Sequence, residues 1–441
     1  MNLPDDILIV GLGTTGIATA RFLSRLGKRI TLVDEKHEKD LAPALKALDG
    51  VPFTGRFGPH RQEDFLGHPM IVLSPGIDSE HPYLKEARAA GIKVIGEMEL
   101  AYTFLETPVI AITGTNGKTT VTTLMGEIFT KAYGDVFVGG NIGDPLVNYL
   151  LSGAGAGYVI IEVSSFQLET IETFRPDAAI LLNVTEDHLD RYRSFAEYRD
   201  AKYRIFENQR PEDYAILNTS LPPLGGIRAR KLCFSTERGL EEGAFLKDGT
   251  MYVRLEGKEY RHERAVSPLV GIHNTENLLV ALLTAYIHGI KGEVIEDVIK
   301  TFTGLSHRIE PVRRINGITF YNDSKATNVD STRRALESIG GSVVLIAGGK
   351  DKGGSYRVIG DQMPKVRSLI LIGEGAERIR EELGSYTKTY MEGDLAGAVS
   401  RAVEVAQKGD VVLFSPMCSS FDMFKDYKDR GNRFRALVEA L

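Results

Sequence analysis

Val109-Ile110-Ala111-Ile112-Thr113-Gly114-Thr115-Asn116-Gly117-Lys118-Thr119-Thr120 decides how the chain is read. An apolar, β-branched run stops at a glycine, and a second glycine is followed at once by a lysine and two threonines. The pattern predicts a strand, a tight turn and a helix beginning near Lys118. Glycines let backbone N–H groups converge on phosphate oxygens, the helix N-terminus adds its positive dipole end, and a lysine reaches the β and γ phosphates. Gly114, Asn116, Gly117, Lys118, Thr119 and Thr120 are therefore expected to hold a nucleoside triphosphate, by default ATP, with Thr119 on Mg²⁺. The motif is GxxGK[ST], shorter than the full GxxxxGK[ST], so its placement between strand and helix carries more weight than its letters.

Outward from this stretch, short apolar runs alternate with helix-length segments, the pattern of α/β units with parallel sheets. A chain of 441 residues suggests roughly three domains at about 150 residues each. The expected boundaries are 1–106, a Rossmann-like domain; 107–305, a central P-loop domain; and 306–441, a second Rossmann-like α/β domain. Glu106-Thr107-Pro108 is the first linker.

A second glycine loop follows the first strand: Gly11-Leu12-Gly13-Thr14-Thr15-Gly16, with Asp34 ending the next strand. Taken alone it satisfies the dinucleotide fingerprint and points to a nicotinamide dehydrogenase. Its glycines report only a tight turn and a backbone close to a diphosphate, which a UDP-sugar also has. A dehydrogenase has no use for an ATP-type loop one domain later, so the pair of loops favours a UDP-linked substrate plus ATP. Ser74-Pro75-Gly76 falls at the carboxyl end of another strand, where open α/β sheets bind ligands.

Composition sets the class. With 43% hydrophobic and 25% charged residues the chain reads as a soluble globular protein. A net charge of −6 gives no general pull toward nucleic acid or an anionic membrane. Cys233 and Cys418 form no CxxC pattern, which argues against a disulfide framework or cysteine zinc site and fits a reducing compartment. No export signal is expected. The apolar stretch Leu278 to Ile290, broken by Thr284, His288 and Gly289, is shorter than the approximately 20 residues of a membrane span and reads as a core helix.

Two further segments carry acid and histidine chemistry. Glu162 ends an apolar strand before Ser164-Ser165, which makes it a Mg²⁺ ligand candidate. His188, within Asn183-Val184-Thr185-Glu186-Asp187-His188-Leu189-Asp190, follows another buried strand. Lys202 lies in a helical segment where surface lysines are ordinary, and residue chemistry alone does not single it out.

Together these segments resemble the Mur ligase family over essentially the entire chain. The family marks are the glycine loop at 114–120, the acidic loop at 183–190, Gly271-Ile272-His273-Asn274-Thr275-Glu276-Asn277 and His307-Arg308. Folylpolyglutamate synthetases share some of them. Ser164-Ser165-Phe166-Gln167-Leu168-Glu169, Tyr321-Asn322-Asp323-Ser324-Lys325-Ala326-Thr327-Asn328 and Ser415-Pro416-Met417-Cys418-Ser419-Ser420-Phe421-Asp422 resemble the branch that joins D-glutamate to UDP-N-acetylmuramoyl-L-alanine, and no DNPR-type stretch of the diaminopimelate-adding branch is present.

The resemblance implies an ATP-dependent carboxylate–amine ligase acting through an acyl phosphate, cytoplasmic and monomeric, in peptidoglycan precursor synthesis. It implies Lys118, Glu162, His188 and Lys202 as catalytic, and Thr119, Glu162, His188 and a carbamylated Lys202 as holders of probable paired Mg²⁺ ions. Asn274, Asn277, Arg308, Asp323 and Lys325 would join the nucleotide site. Thr14, Thr15, Asp34, Ser74, Gly76 and Asn141 would hold the UDP-linked substrate, and Thr327, Lys352, Ser420 and Tyr427 the D-glutamate carboxylates. Lys350 stands where the family pattern leads one to expect an acid. The rival classes are a dehydrogenase, answered by an NADH binding assay, and a module that binds ATP without turnover, answered by phosphate release.

Overall fold

A computed structural model describes residues 3–441 except 154, 189 and 190. Three sheets follow one another along the chain. The first contains β1 (Asp6–Val10), β2 (Arg29–Asp34), β3 (Thr54–Phe57), β4 (Met70–Leu73) and β5 (Lys93–Gly96) in the order β3-β2-β1-β4-β5, all parallel. Its central strands are buried on both faces, which is why they read as unbroken apolar runs.

The second sheet holds β6 (Val109–Thr113), β7 (Val136–Gly140), β8 (Tyr158–Glu162), β9 (Ala178–Leu181), β10 (Tyr214–Asn218), β11 (Arg230–Ser235), β12 (Gly243–Lys247), β13 (Thr250–Leu255) and β14 (Lys258–Glu263). Its order is β14-β13-β12-β11-β10-β9-β6-β8-β7. The parallel part ends at β12, and two antiparallel hairpins extend it outward. Both hairpins turn on two residues with positive φ, Asp248-Gly249 (φ 49° and 79°) and Glu256-Gly257 (φ 54° and 75°), the backbone that matches the right-handed twist of the flanking strands. The apolar stretch after residue 277 forms the inner face of the helix Ile272–Ile287, packed on this sheet. Among the described residues no helix is long and apolar enough to cross a membrane.

The third sheet comprises β15 (Glu310–Ile315), β16 (Ile318–Asn322), β17 (Val343–Gly348), β18 (Val366–Ile372), β19 (Lys388–Met391) and β20 (Val411–Phe414) in the order β15-β16-β20-β17-β18-β19. Alternate residues of β17 feed separate cores: Leu345 and Ala347 on one face, Val344 and Ile346 on the other.

The two junctions between sheets differ in chemistry. The first and second share one apolar cluster running from Ile7 through Leu100 and Val147 to Leu217. Two acids of the helix Glu97–Tyr102 fasten that junction. Glu99 accepts the backbone N–H groups of Glu172, Thr173 and Phe174 at 2.8–3.0 Å, and Glu97 accepts that of Val147 at 2.7 Å. Burial raises the Glu97 carboxyl to about 7. Among the described residues the third sheet's apolar clusters begin at Ile309, and hydrogen bonds such as Asn116–Asp330 (2.7 Å) and Asn328–Asp187 (2.9 Å) join it to the second.

Candidate functional site

β6 delivers its chain into a left-handed turn at Gly117 (φ 86°), and the helix Lys118–Tyr133 begins at the next residue. A Cβ at Gly117 would lie 2.7 Å from Asn277 Oδ1, so glycine answers both the backbone angle and the close neighbour. The loop is held from behind: Asn116 N–H donates to Asn183 Oδ1 at 2.8 Å, and Asn183 Nδ2 returns a bond to the Asn116 carbonyl at 3.1 Å.

Lys118 Nζ donates to the carbonyls of Gly114 (2.7 Å) and Thr115 (2.9 Å). Lys202 Nζ donates to the same Gly114 carbonyl at 3.0 Å and lies 4.5 Å from the centre of the Tyr198 ring. The helix Phe195–Tyr203 thus turns Lys202 inward to 2% exposure instead of presenting it to solvent. Burial, reinforced by the charge of Lys118, lowers the Lys202 amine well below its ordinary value and favours the neutral form. Burial also lowers Lys118, against the pull of Glu162 and Asp187.

Glu162 sits at 2% exposure at the end of β8. Asn141 Nδ2 donates to its Oε1 at 2.8 Å, whereas its buried Oε2 has no hydrogen-bond partner. A buried carboxylate oxygen without a donor is costly unless a cation completes it, so Glu162 fits a Mg²⁺ ligand. No three His, Cys, Asp or Glu side chains converge on a metal position among the described residues. The Glu162 carboxylate and the Thr119 hydroxyl at the start of the helix suit Mg²⁺, which takes one or two carboxylates and completes its shell with phosphates and water. Thr119 is near enough for Arg308 to donate to its hydroxyl at 3.0 Å. His188, at positive φ (56°), packs edge-on to Phe166 with ring centres 5.0 Å apart. The motif residues Leu189 and Asp190 lie outside the described residues.

Three clefts border this cluster, through Arg308 on Thr119, Asn141 on Glu162 and Asp187 beside Lys118. Asn116, Gly117 and Thr120 line one cleft with Asn274, Asn277 and Arg308, and Asp323 and Lys325 border it from the third domain. Burial raises the Asp323 carboxyl to about 7 and lowers Lys325 to about 7. A second cavity, about 750 Å³, is lined by Thr14, Thr15, Asp34, Ser74, Gly76 and Asn141. Asp34 has local duties as well, accepting the N–H groups of Leu12 (2.8 Å) and Lys36 (3.0 Å). The third cleft brings His188, Thr327 and Lys352 together. Ser420, 2% exposed, and Tyr427, against which Lys325 lies at 4.0 Å, are outside that cleft's lining. The side chain of Lys350 is exposed, and its backbone pairs with Ser419.

Residues not singled out from the sequence close the site. The helix Val329–Ser338 turns a polar face to the second domain. Asn328 reaches Asp187 (2.9 Å), Asp330 takes a bond from Asn116 (2.7 Å), Ser331 donates to Asn116 (2.8 Å) and Arg334 pairs with Glu276 (3.1 Å). Lys352 pairs with Asp187 at 3.4 Å. Burial works to raise Asp187, but the charges of Lys352 and His188 together with the hydrogen bonds from Asn328 and the His188 N–H outweigh it and hold the carboxyl below its ordinary value. Tyr198 could have been found in the sequence, since it stands one helical turn before Lys202.

Sequence models of known families match in three consecutive blocks: a MurD-like Mur ligase N-terminal domain at residues 5–96, a Mur ligase middle domain at 112–285 and a Mur ligase glutamate ligase domain at 307–418. A UDP-N-acetylmuramoylalanine--D-glutamate ligase of Geobacter metallireducens is 48% identical, covering 99% of this chain and 97% of its own. That of Caldanaerobacter subterraneus is 42% identical, over 98% and 97%. Among solved structures, a pseudomurein peptide ligase type C from Methanothermus fervidus superposes with TM-score 0.61 at 18% identity, over 99% of this chain and 100% of that one. A MurF ligase from Thermotoga maritima in complex with ADP gives 0.61 at 15%, over 93% and 95%. At such identities the structures speak for the fold alone, whereas the near-full-length sequence relatives and the three matched blocks settle descent: the chain belongs to the Mur ligase family.

Proposed function

We propose that the chain joins D-glutamate to UDP-N-acetylmuramoyl-L-alanine at the expense of ATP. Residues 1–106 hold the UDP-linked acceptor, 107–305 the ATP and 306–441 the amino acid. The observation that carries this reading is the meeting of Lys118, Lys202, Glu162 and Arg308 between a glycine-looped cavity of one domain and a P-loop cleft of the next.

A carboxylate oxygen is a poor leaving group, so the L-alanine carboxylate first attacks the ATP γ-phosphorus and releases ADP. The D-glutamate amine then attacks the acyl carbon of the acyl phosphate. The tetrahedral intermediate collapses to the amide as inorganic phosphate leaves and the amine loses a proton. Lys118 steadies the β and γ phosphates, and Arg308 faces the same phosphates beside Thr119. Asn274 and Asn277, joined to each other at 3.1 Å, with Asp323 and Lys325, border the adenosine side. Thr327 and Lys352, with Ser420 and Tyr427, receive the D-glutamate carboxylates. Thr119, Glu162, His188 and a carbamylated Lys202 would hold Mg²⁺, which would supply neutralisation of the charge that accumulates during phosphoryl transfer.

A neutral amine adds CO₂ with loss of a proton, and the burial that lowers the Lys202 amine supports its carbamylation to an anion. A monomer in the cytoplasm, where ATP and UDP-linked precursors are made, completes the reading. Phosphate release measured with each of the three substrates omitted in turn tests it: release should require all three. Release without D-glutamate or without the muramoyl nucleotide would reject it.

A further inference from the structure

The segment Ser164-Ser165-Phe166-Gln167-Leu168-Glu169 is only partly used by the chemistry above, and its last residue occupies a junction. The short helix Ser165–Leu168 is capped by Ser164 and Gln167, which fixes where Glu169 leaves it. From there the Glu169 carboxylate reaches two loops that belong to different domains. Ser79 Oγ donates to Oε2 at 2.7 Å, and Ser79 follows the loop 74–78 that lines the first-domain cavity. Arg191 donates to the same Oε2 at 3.2 Å and to the carbonyl of Ile77 at 3.0 Å, while the Tyr192 hydroxyl donates to Oε1.

Arg191 and Tyr192 are tied to His188, since both their N–H groups donate to its carbonyl at 3.0 Å. Their side chains also grip Phe166. The Arg191 guanidinium lies 3.9 Å from the ring centre, and Tyr192 stacks at 5.9 Å with an interplanar angle of 20°. Phe166 in turn meets the His188 ring edge-on. A continuous set of contacts therefore runs from the wall of the first-domain cavity through Glu169 and Arg191 to His188.

We propose that Glu169 and Arg191 are positioning residues that couple occupancy of the first-domain cavity by the UDP-linked acceptor to the placement of His188, assigned above to the Mg²⁺ that accompanies ATP. Neither lines the three clefts described above. A molecule that straightens the loop 74–79 pulls on Ser79 and Ile77, and His188, tied to Arg191 and Tyr192, moves with them. The inference rests on the function proposed above, and its test is a linkage measurement, because coupling between two sites is reciprocal and reads out as a ratio of affinities.

Binding of UDP-N-acetylmuramoyl-L-alanine to the full chain is measured calorimetrically with and without Mg²⁺ and the non-hydrolysable β,γ-imido analogue of ATP. The wild type should bind about fivefold or more tightly when the analogue is present, the lower end of ordinary coupling. In Glu169→Ala the ratio should fall to within about twofold of one, while affinity for the muramoyl nucleotide alone changes less than about threefold. Glu169→Gln, which keeps an acceptor for one donor, should fall between, and Arg191→Lys should follow the alanine variant, so the test survives poor folding of any single variant. A wild type without coupling overturns the inference, as do variants with wild-type coupling or variants that lose nucleotide affinity with coupling intact. Failure of the wild type to bind the muramoyl nucleotide defeats the proposed function and this inference with it. Full turnover accompanied by coupling indifferent to Glu169 and Arg191 defeats the inference alone.

Discussion

The polar seam between the second and third domains makes its most measurable statement at Arg334 and Glu276. Their charged groups are 3.1 Å apart with side-chain exposures of 22% and 17%, and Asp330 holds the same guanidinium from within its own helix at 3.1 Å. Burial opposes the Arg334 charge, but the two acids outweigh it and raise the group. Exposed pairs are worth about 0.2–1 kcal/mol. Removing one partner of a fully buried pair costs about 3–5 kcal/mol. A pair mostly covered, with Asp330 left to receive Arg334, should fall between, at about 1.5–2 kcal/mol, or about 10–30-fold in any step that needs the domains docked. The assay is a double-mutant cycle on kcat/KM for ATP with Arg334→Gln, Glu276→Gln and the double variant. Each single change should lose about 10–30-fold, and the double variant should be no more than about threefold worse than either. Losses that multiply, leaving the double variant about 100-fold or more down, would show that the residues act separately and not through a bond across the seam.

Lys202→Ala should lose activity by about 100-fold or more, with partial recovery on adding short-chain carboxylates, and unchanged turnover would remove Lys202 from the chemistry. Gly16→Ala places a Cβ 1.9 Å from the Gly11 carbonyl oxygen, so it should destabilise the first domain by at least about 1–3 kcal/mol and weaken muramoyl-nucleotide binding, an expectation refuted by a wild-type melting curve. Glu97 predicts a pH effect. Because burial raises this acid from 4.5 to about 7, the folded state holds its proton more tightly than the unfolded one. The associated stability is present below about pH 4.5 and is lost as pH rises through 7. Urea unfolding of Glu97→Gln should accordingly gain up to about 2–3 kcal/mol on the wild type between pH 5 and pH 8, and parallel stability curves would refute it.

Local grammar made much of the architecture readable. The β-branched run before Gly114 and the lysine after Gly117 required a strand, a turn and a helix, and the third glycine of the first loop is needed because Gly16 packs against the Gly11 carbonyl. The antiparallel extension of the central sheet went unread, although Asp248-Gly249 is a two-residue hairpin signal. Lys202 was opaque for a different reason. Its helix, Phe195–Tyr203, is largely polar, and its buried side, Tyr198, Ala201 and Lys202, is settled by tertiary packing and by the Gly114 carbonyl. The polar face of the helix Val329–Ser338 looks, in one dimension, the same as a solvated face. Glu99 and Glu169 serve partners 73–75 and 90 residues away, which no local pattern encodes.

The hairpin extension also determines how the central sheet ends. β14 reads Lys258-Glu259-Tyr260-Arg261-His262-Glu263 and leaves four charged side chains exposed along its open edge. A stray strand docking there would have to bring its own backbone past fixed charges, so the border discourages fibril-like stacking. Its two-residue bend at Glu256-Gly257 is correspondingly a suitable place to graft a fluorescent reporter, because an insertion there lengthens an outer rim while the catalytic strands keep their register.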